Sequence, residues 1–259
     1  MLQPLYVRIA AGFAVLLGAV PPATAWTPVT QVTIAREAAR LAPSDLARQI
    51  DRHRRAFEEG VNAPFADSDP GRHMKNPDGS GTLDRAAGAA VDAAVAAIRG
   101  HQPFEENVRR LGVVSHYVAD ANNPLAAAAD DPEEGRYFVD YLRYAETAEP
   151  RFPLIFYGVQ PGLETRKDVS PLLDAALRRG RELYPLIGRE YRRIGFASGI
   201  GVFDDRSSAF GATSVAFSHA VTDVALALRY VWITAGGIDD RAHLPAGGTR
   251  LILLPRAGR

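Results

Sequence analysis

Residues 112–124 read Gly112-Val-Val-Ser-His116-Tyr-Val-Ala-Asp120-Ala-Asn-Asn-Pro124. In a helix, residues four apart lie one above the other, with Cβ atoms roughly 5–6 Å apart. Gly112, His116 and Asp120 therefore fall on one stripe, and Gly112 leaves space beside the imidazole. Two readings fit the His116–Asp120 pair. It is an ordinary i,i+4 pair worth a few tenths of a kcal/mol, or it is half of a metal site, as two histidines at that spacing are in other zinc helices. Pro103, at a first-turn position, opens this helix and Pro124 ends it.

Working outward, helical periodicity dominates and alternating strand-like runs are scarce. Residues 30–41 fit a first helix. A second, capped by Ser44 and ended by Gly60, carries Leu46, Ile50 and Phe57 on one apolar stripe. Residues 61–81 are rich in Pro, Gly, Asp and Asn and predict a long surface loop, a feature more often functional than idle. Thr82 caps an Ala-rich helix closed by Gly100. Asp131-Pro132 starts another helix, with Tyr137, Tyr141 and Tyr144 read as core aromatics. Residues 149–169 form a second loop. Ser170-Pro171 opens a long helix with a possible kink at Pro185, and an apolar helix runs from about Ser207 to Thr234. The tail after Gly236 reads as loop with a short apolar 251–254 run. The expectation is all-α: one domain, a bundle of about seven helices, spanning 26–259.

The chain has 259 residues, is 47% hydrophobic, and carries zero formal charge. That size supports one sizeable core, and a neutral balance offers no bulk attraction for a phosphate backbone, so there is no strong nucleic-acid signature. Lys75 and Lys167 are the only lysines, and there is no cysteine. Arg8 followed by the apolar run 9–20, then Pro21-Pro22 and Ala23-Thr24-Ala25, has the form of a cleaved export signal over residues 1–25. The run is too short for the ~20 residues of a membrane span. The expectation is export to the periplasm or beyond, with no transmembrane segment after cleavage and a fold resting on its core or on metal, without disulfides.

The string from His116 to Pro124 resembles the H-Y-x-x-D helix of the zinc-dependent phospholipase C and single-strand-specific nuclease superfamily, in which that His and Asp are zinc ligands. The likeness is concentrated in residues 26–145. The resemblance extends to His73, in His-Met-Lys-Asn-Pro-Asp78, similar to a family segment where a liganding His precedes an acidic, Pro-containing turn; a solvated loop histidine is the plain alternative. It extends also to Trp26, the first residue after the cleavage site. In the family the mature N-terminal Trp chelates zinc through its α-amine and carbonyl; otherwise Trp26 is simply an aromatic residue. The resemblance thus implies the metal ligands Trp26, His73, His116 and Asp120, with Asp120 also the catalytic candidate that orients or bridges to a second ion.

Other family ligands are missing. Gln31 aligns with an expected His. Glu58, Glu59 and Asn62 are the candidates for an acidic ligand, and none is well placed. Ala126 aligns with a second His, and Glu134 with Phe138 aligns with an H-x-x-x-E pair. The resemblance then implies zinc in reduced number, one ion or none. Two functions follow from it. One is a hydrolase of small phosphodiesters or phospholipids that uses water activated at the metal. The other is a non-catalytic descendant acting as an envelope binding or structural protein.

Three further features carry blander readings. His219 and Asp223 form an i,i+4 pair on the last helix, read as a satisfied buried histidine. Arg52-His53-Arg54-Arg55 reads as a solvated helix face. In His101-Gln-Pro-Phe-Glu105, the glutamate suits a helix N-terminus.

Overall fold

A computed structural model of the chain describes residues 25–128, 131–159, 163, 168–238 and 252–254. Residues 1–24, most of the segment expected to be an export leader, lie outside them.

Helices carry the architecture, as the periodicity predicts: α1 Pro28–Ala39, α2 Ser44–Arg52, α3 Arg54–Asn62, α4 Leu83–Arg99, α5 Phe104–Ala121, α6 Pro124–Ala127, α7 Phe138–Ala148, α8 Ser170–Arg193 and α9 Ser208–Thr234. The count exceeds seven for local reasons. The expected 44–60 helix breaks at His53, which leaves helical geometry at φ −111°, ψ 34°. Asn123 caps a separate turn, its side chain accepting from Leu125 N, with Pro124 at the first helical position. The 61–81 segment holds two 3-10 turns, Ala63–Ala66 and Pro70–His73. After Asp131 comes a 3-10 turn, Glu134–Arg136, before α7 begins. Helix α8 runs on through Pro185. A short antiparallel pair, β1 Leu154–Phe156 with β2 Ile252–Leu254, uses the apolar tail run.

Helix α9 is the centre of the core. It is long and apolar enough for a membrane span by length and composition, yet 83% of its most apolar window is buried within the fold. That burial explains an apolar surface all round. Its Ser218 and Thr222 hydroxyls accept from the backbone N–H groups of Ile155 and Tyr157, which ties β1 to the bundle. The tyrosines at 137, 141 and 144 are all buried in the core.

The contact between α3 and α5 sets the position of everything that follows. A Cβ at Gly112 would stand 2.2 Å from Phe57 O, and one at Gly60 would stand 1.9 Å from Arg109 O. The space beside His116 that the sequence suggests is therefore filled by the α3 backbone itself. Gly112→Ala must push the two helices apart or distort them. Overpacking of this kind costs about 1–3 kcal/mol, and here the obstacle is main chain, so a loss at or above about 3 kcal/mol is expected. Urea denaturation of wild type and Gly112→Ala measures it.

Candidate metal centre

Helix α5 supplies His116 and Asp120 from one face, both fully buried, and the second 3-10 turn brings in His73 at 1% exposure. His73 Nδ1 lies 2.8 Å from Asp120 Oδ2, His116 Nε2 lies 3.2 Å from the same oxygen, and the two ring nitrogens are 3.3 Å apart. The three side chains that the resemblance nominates from two separate elements thus meet at one point. They form a group able to hold a metal ion.

The remaining ring nitrogens explain the orientation. His116 Nδ1 lies 2.8 Å from Val61 O, and His73 Nε2 lies 3.1 Å from Pro64 O. A carbonyl only accepts, so each of these nitrogens carries the proton and donates. That leaves His116 Nε2 and His73 Nδ1 as the atoms facing Asp120. Second-nitrogen donation to a carbonyl is the arrangement that fixes metal-binding imidazoles. Val61 sits at the end of α3, so the glycine contact between α3 and α5 is what places its carbonyl beneath His116.

Asp120 is held from the other side. Its Oδ1 accepts from Gln31 Nε2 at 2.6 Å, while Gln31 Oε1 is buried without a hydrogen-bond partner. Gln31 is thus not a ligand of the three-residue group; its amide caps the carboxylate oxygen that a second ion would need. Trp26 is fully buried, with Nε1 donating to Ala119 O at 2.9 Å, and Asn123 Nδ2 donates to Ala25 O. The indole therefore braces the helix turn that carries Asp120.

The donor set passes a test of fit to a metal. A tetrahedral zinc with bonds of about 2.0–2.1 Å spaces its ligand atoms roughly 3.3 Å apart, which the three measured separations approach. Burial pushes the His73 pKa down, but the Asp120 hydrogen bond and charge outweigh it and the net shift is upward. Burial likewise pushes Asp120 up, and the two histidines outweigh it and hold it low. A cation held by these three groups uses the His73 Nδ1 lone pair, so its binding competes with protonation there.

Residues with no sequence signal complete the surroundings. Asp67 Oδ2 accepts from Tyr117 OH, forms an ion pair with Arg72 Nε at 3.1 Å, and lies 3.6 Å from His73 Nε2. Phe65 packs edge-on against the His116 ring at 4.8 Å. Nothing in the spacing of Asp67 or Arg72 distinguishes them from other loop charges.

The remaining candidates lie elsewhere. Glu58 pairs with Arg36, and Glu59 with Arg55 and Arg109. Asn62 is exposed and donates to Glu58 O. Ala126 is buried in α6. Glu134 accepts from Tyr184 OH and, by burial, is pushed up to about 7; Phe138 is partly buried against the core. His219 stacks on Tyr157 with ring centroids 3.6 Å apart, and Asp223 pairs with Arg179.

No family model matches the sequence, and no curated protein matches it. Solved structures do match at the level of fold. An alpha-toxin of Clostridium perfringens from an avian strain superposes with a TM-score of 0.63 at 14% identity, over 81% of this chain and 65% of the toxin. The alpha-toxin of Clostridium absonum gives 0.64 at 14% identity, over 83% of this chain and 67% of the toxin. The chain thus spans about two thirds of the length of these toxins and has their all-α fold.

Proposed function

We propose that this chain is an exported hydrolase of phosphate esters, of the phospholipase C type, that works with a single zinc ion. The observation that carries the proposal is the convergence of His73 Nδ1, His116 Nε2 and Asp120 Oδ2, each imidazole held by a main-chain carbonyl at its second nitrogen. Support comes also from the fold shared with the clostridial alpha-toxins and from the likeness of the α5 string to the zinc phospholipase C helix. Export rests on the leader-like residues 1–25 alone.

Three protein ligands are the usual complement of a catalytic zinc. When bound, zinc supplies Lewis acidity toward a phosphoryl oxygen and acidifies water toward pKa ~7. The chain's own groups do the rest. The two imidazoles bind through nitrogens whose tautomers Val61 and Pro64 fix. Asp120 contributes one negative charge, and Gln31 holds its orientation. Arg72, 43% exposed and paired with Asp67 beside His73, stands where a phosphate's charge would be met. Near-neutral overall charge favours a phospholipid or small phosphodiester over a nucleic acid.

One observation favours a second reading, a non-catalytic descendant. All three ligands are at most 1% exposed, and Phe65, Tyr117 and Asp67 stand around them. A metal in that setting serves structure. Metal analysis and hydrolysis assays on protein exported through its own leader separate the readings. The expected result is about one zinc per chain, with cleavage of phosphatidylcholine or bis-p-nitrophenyl phosphate that disappears in His116→Ala. One zinc without cleavage of either substrate, or no stoichiometric metal, overturns the hydrolase and selects the second reading.

A further inference from the structure

Helices α1, α2 and α3 enclose a cleft of about 810 Å³ whose chemistry is unlike that of the metal centre. Its floor is apolar: Ala39, Ala47, Ile50 and Phe57. Its rim is basic, formed by Arg36 of α1 and Arg40 just past its end, Arg48 and Arg52 of α2, and Arg54 of α3, with Asp51 the one lining carboxylate. Two of these arginines, Arg52 and Arg54, come from the Arg52-His53-Arg54-Arg55 run. The break at His53 is what turns that run: α2 and α3 meet there at a bend, so Arg52 and Arg54 both reach the cleft rim and do not spread around one helix.

Four of the five rim arginines are ion-paired, Arg40 with the buried Glu37 at 2.7 Å and the other three through exposed side chains. Arg36, Arg48 and Arg54 pair with Glu58, Asp45 and Asp51, all through side chains more than half exposed on the arginine side. Exposed pairs of this kind contribute little and exchange readily for another anion. Arg52 has no carboxylate partner among the described residues. On α1, Val29 is 59% exposed and lies two turns before Arg36 on the same side of the helix, so an exposed apolar residue extends the basic rim.

We propose that this cleft binds an anionic phospholipid, with the phosphate on the arginine rim and the first acyl-chain carbons on the Ala39–Ile50–Phe57 floor. A cluster of four to eight basic residues on helices, next to exposed apolar surface, is the composition that recognises anionic lipid headgroups. Guanidinium groups suit phosphate because their planar donors pair with two of its oxygens at once. An apolar floor distinguishes this site from one for free phosphate, which has nothing to place there. The inference stands apart from the metal centre and does not depend on whether that centre is catalytic.

Vesicle sedimentation tests it with the full mature chain. Phosphatidylglycerol vesicles should bind the protein far more strongly than phosphatidylcholine vesicles, whose zwitterionic headgroups offer the arginine rim no net charge. Binding should fall steeply between 0.05 and ~0.5 M NaCl, as screening of exposed charge requires. The double variant Arg48→Glu with Arg52→Glu should lose about tenfold or more in affinity while keeping its circular dichroism spectrum and its zinc content, because both side chains are exposed and neither touches the metal group. Arg52→Gln alone, a milder change, should lose a smaller part. Equal binding to both vesicle types, unchanged binding in the double variant, or no binding to phosphatidylglycerol would each overturn the assignment. So would displacement of the vesicles by inorganic phosphate at micromolar concentration, which would identify a site for the free anion.

Discussion

Asp120→Ala should strip the protein of metal and, in the metal-free state, lower its stability by about 3–5 kcal/mol, the range seen when one partner of a buried ion pair is removed. Three groups depend on this carboxylate: His73 through Oδ2 at 2.8 Å, His116 through Oδ2 at 3.2 Å, and Gln31 through Oδ1 at 2.6 Å. None of the three has solvent to turn to, since all are at most 1% exposed. Loss of Asp120 leaves Gln31 Nε2 with only a long 3.5 Å bond to His116 O, while its Oε1 already lacks a partner, so part of the roughly 1–3 kcal/mol cost of an unsatisfied buried donor is added. Asp120→Asn keeps the volume and restores part of the hydrogen bonding, so it should recover stability without recovering metal. Denaturation with and without added zinc measures both effects. If Asp120→Ala unfolds at the wild-type urea concentration, the buried pair is not what holds α5 to the 61–73 segment.

His219→Phe should make the protein more resistant to acid. Burial, and then the nearby Arg179 charge, push the His219 pKa down to about 3, whereas the unfolded chain titrates near ~6.5. Below ~6.5 the unfolded state takes up a proton that the folded state refuses, so stability falls with pH. By pH ~4.5 the full difference is about 2–3 kcal/mol, reduced somewhat by the partial exposure of the ring. Asp223 acts in the opposite sense. Burial pushes it up to about 6 against ~3.9 unfolded, so the folded state gains protons first and is favoured as pH falls. In the wild type the two neighbours offset one another. Phenylalanine keeps the stack on Tyr157 and cannot titrate, so the variant should show the Asp223 trend alone. Thermal melts at pH 7 and ~4.5 should differ in pH response by about 2 kcal/mol between the two proteins; identical responses would mean that His219 is not shielded as its stacking indicates.

What could be read from the sequence, and what could not, divides along physical lines. Helix boundaries set by proline and capping residues were legible to within a few residues, as Pro103, Pro124, Ser170-Pro171 and Ser207 show. The break at His53 was not, because Leu46, Ile50 and Phe57 keep one apolar stripe across it and spacing carries no sign of a backbone turn. At the metal group, the i,i+4 relation of His116 and Asp120 follows from helix geometry alone, while the place of His73 beside them was implied only by resemblance. The groups that orient them were invisible. Val61 and Pro64 act through main-chain carbonyls, which every residue possesses, and Gln31 finds Asp120 only once α1 has packed against α5. Gly112 signalled room beside His116 but not that the α3 backbone fills it, and Gly60 read only as a helix end.

The separation of His73 from His116 along the chain, 43 positions, has a consequence for how this cysteine-free protein keeps its shape. An ion clasped between the two ties the loop before α4 to the middle of α5 and closes a circuit through all of α4. Closing a ring of that size removes about 4 kcal/mol of unfolded-chain freedom on the polymer estimate used for sulfur cross-links. Coordination would then serve this chain as a reversible rivet, set by metal supply and released by acid or chelator, where oxidation has no thiols to join.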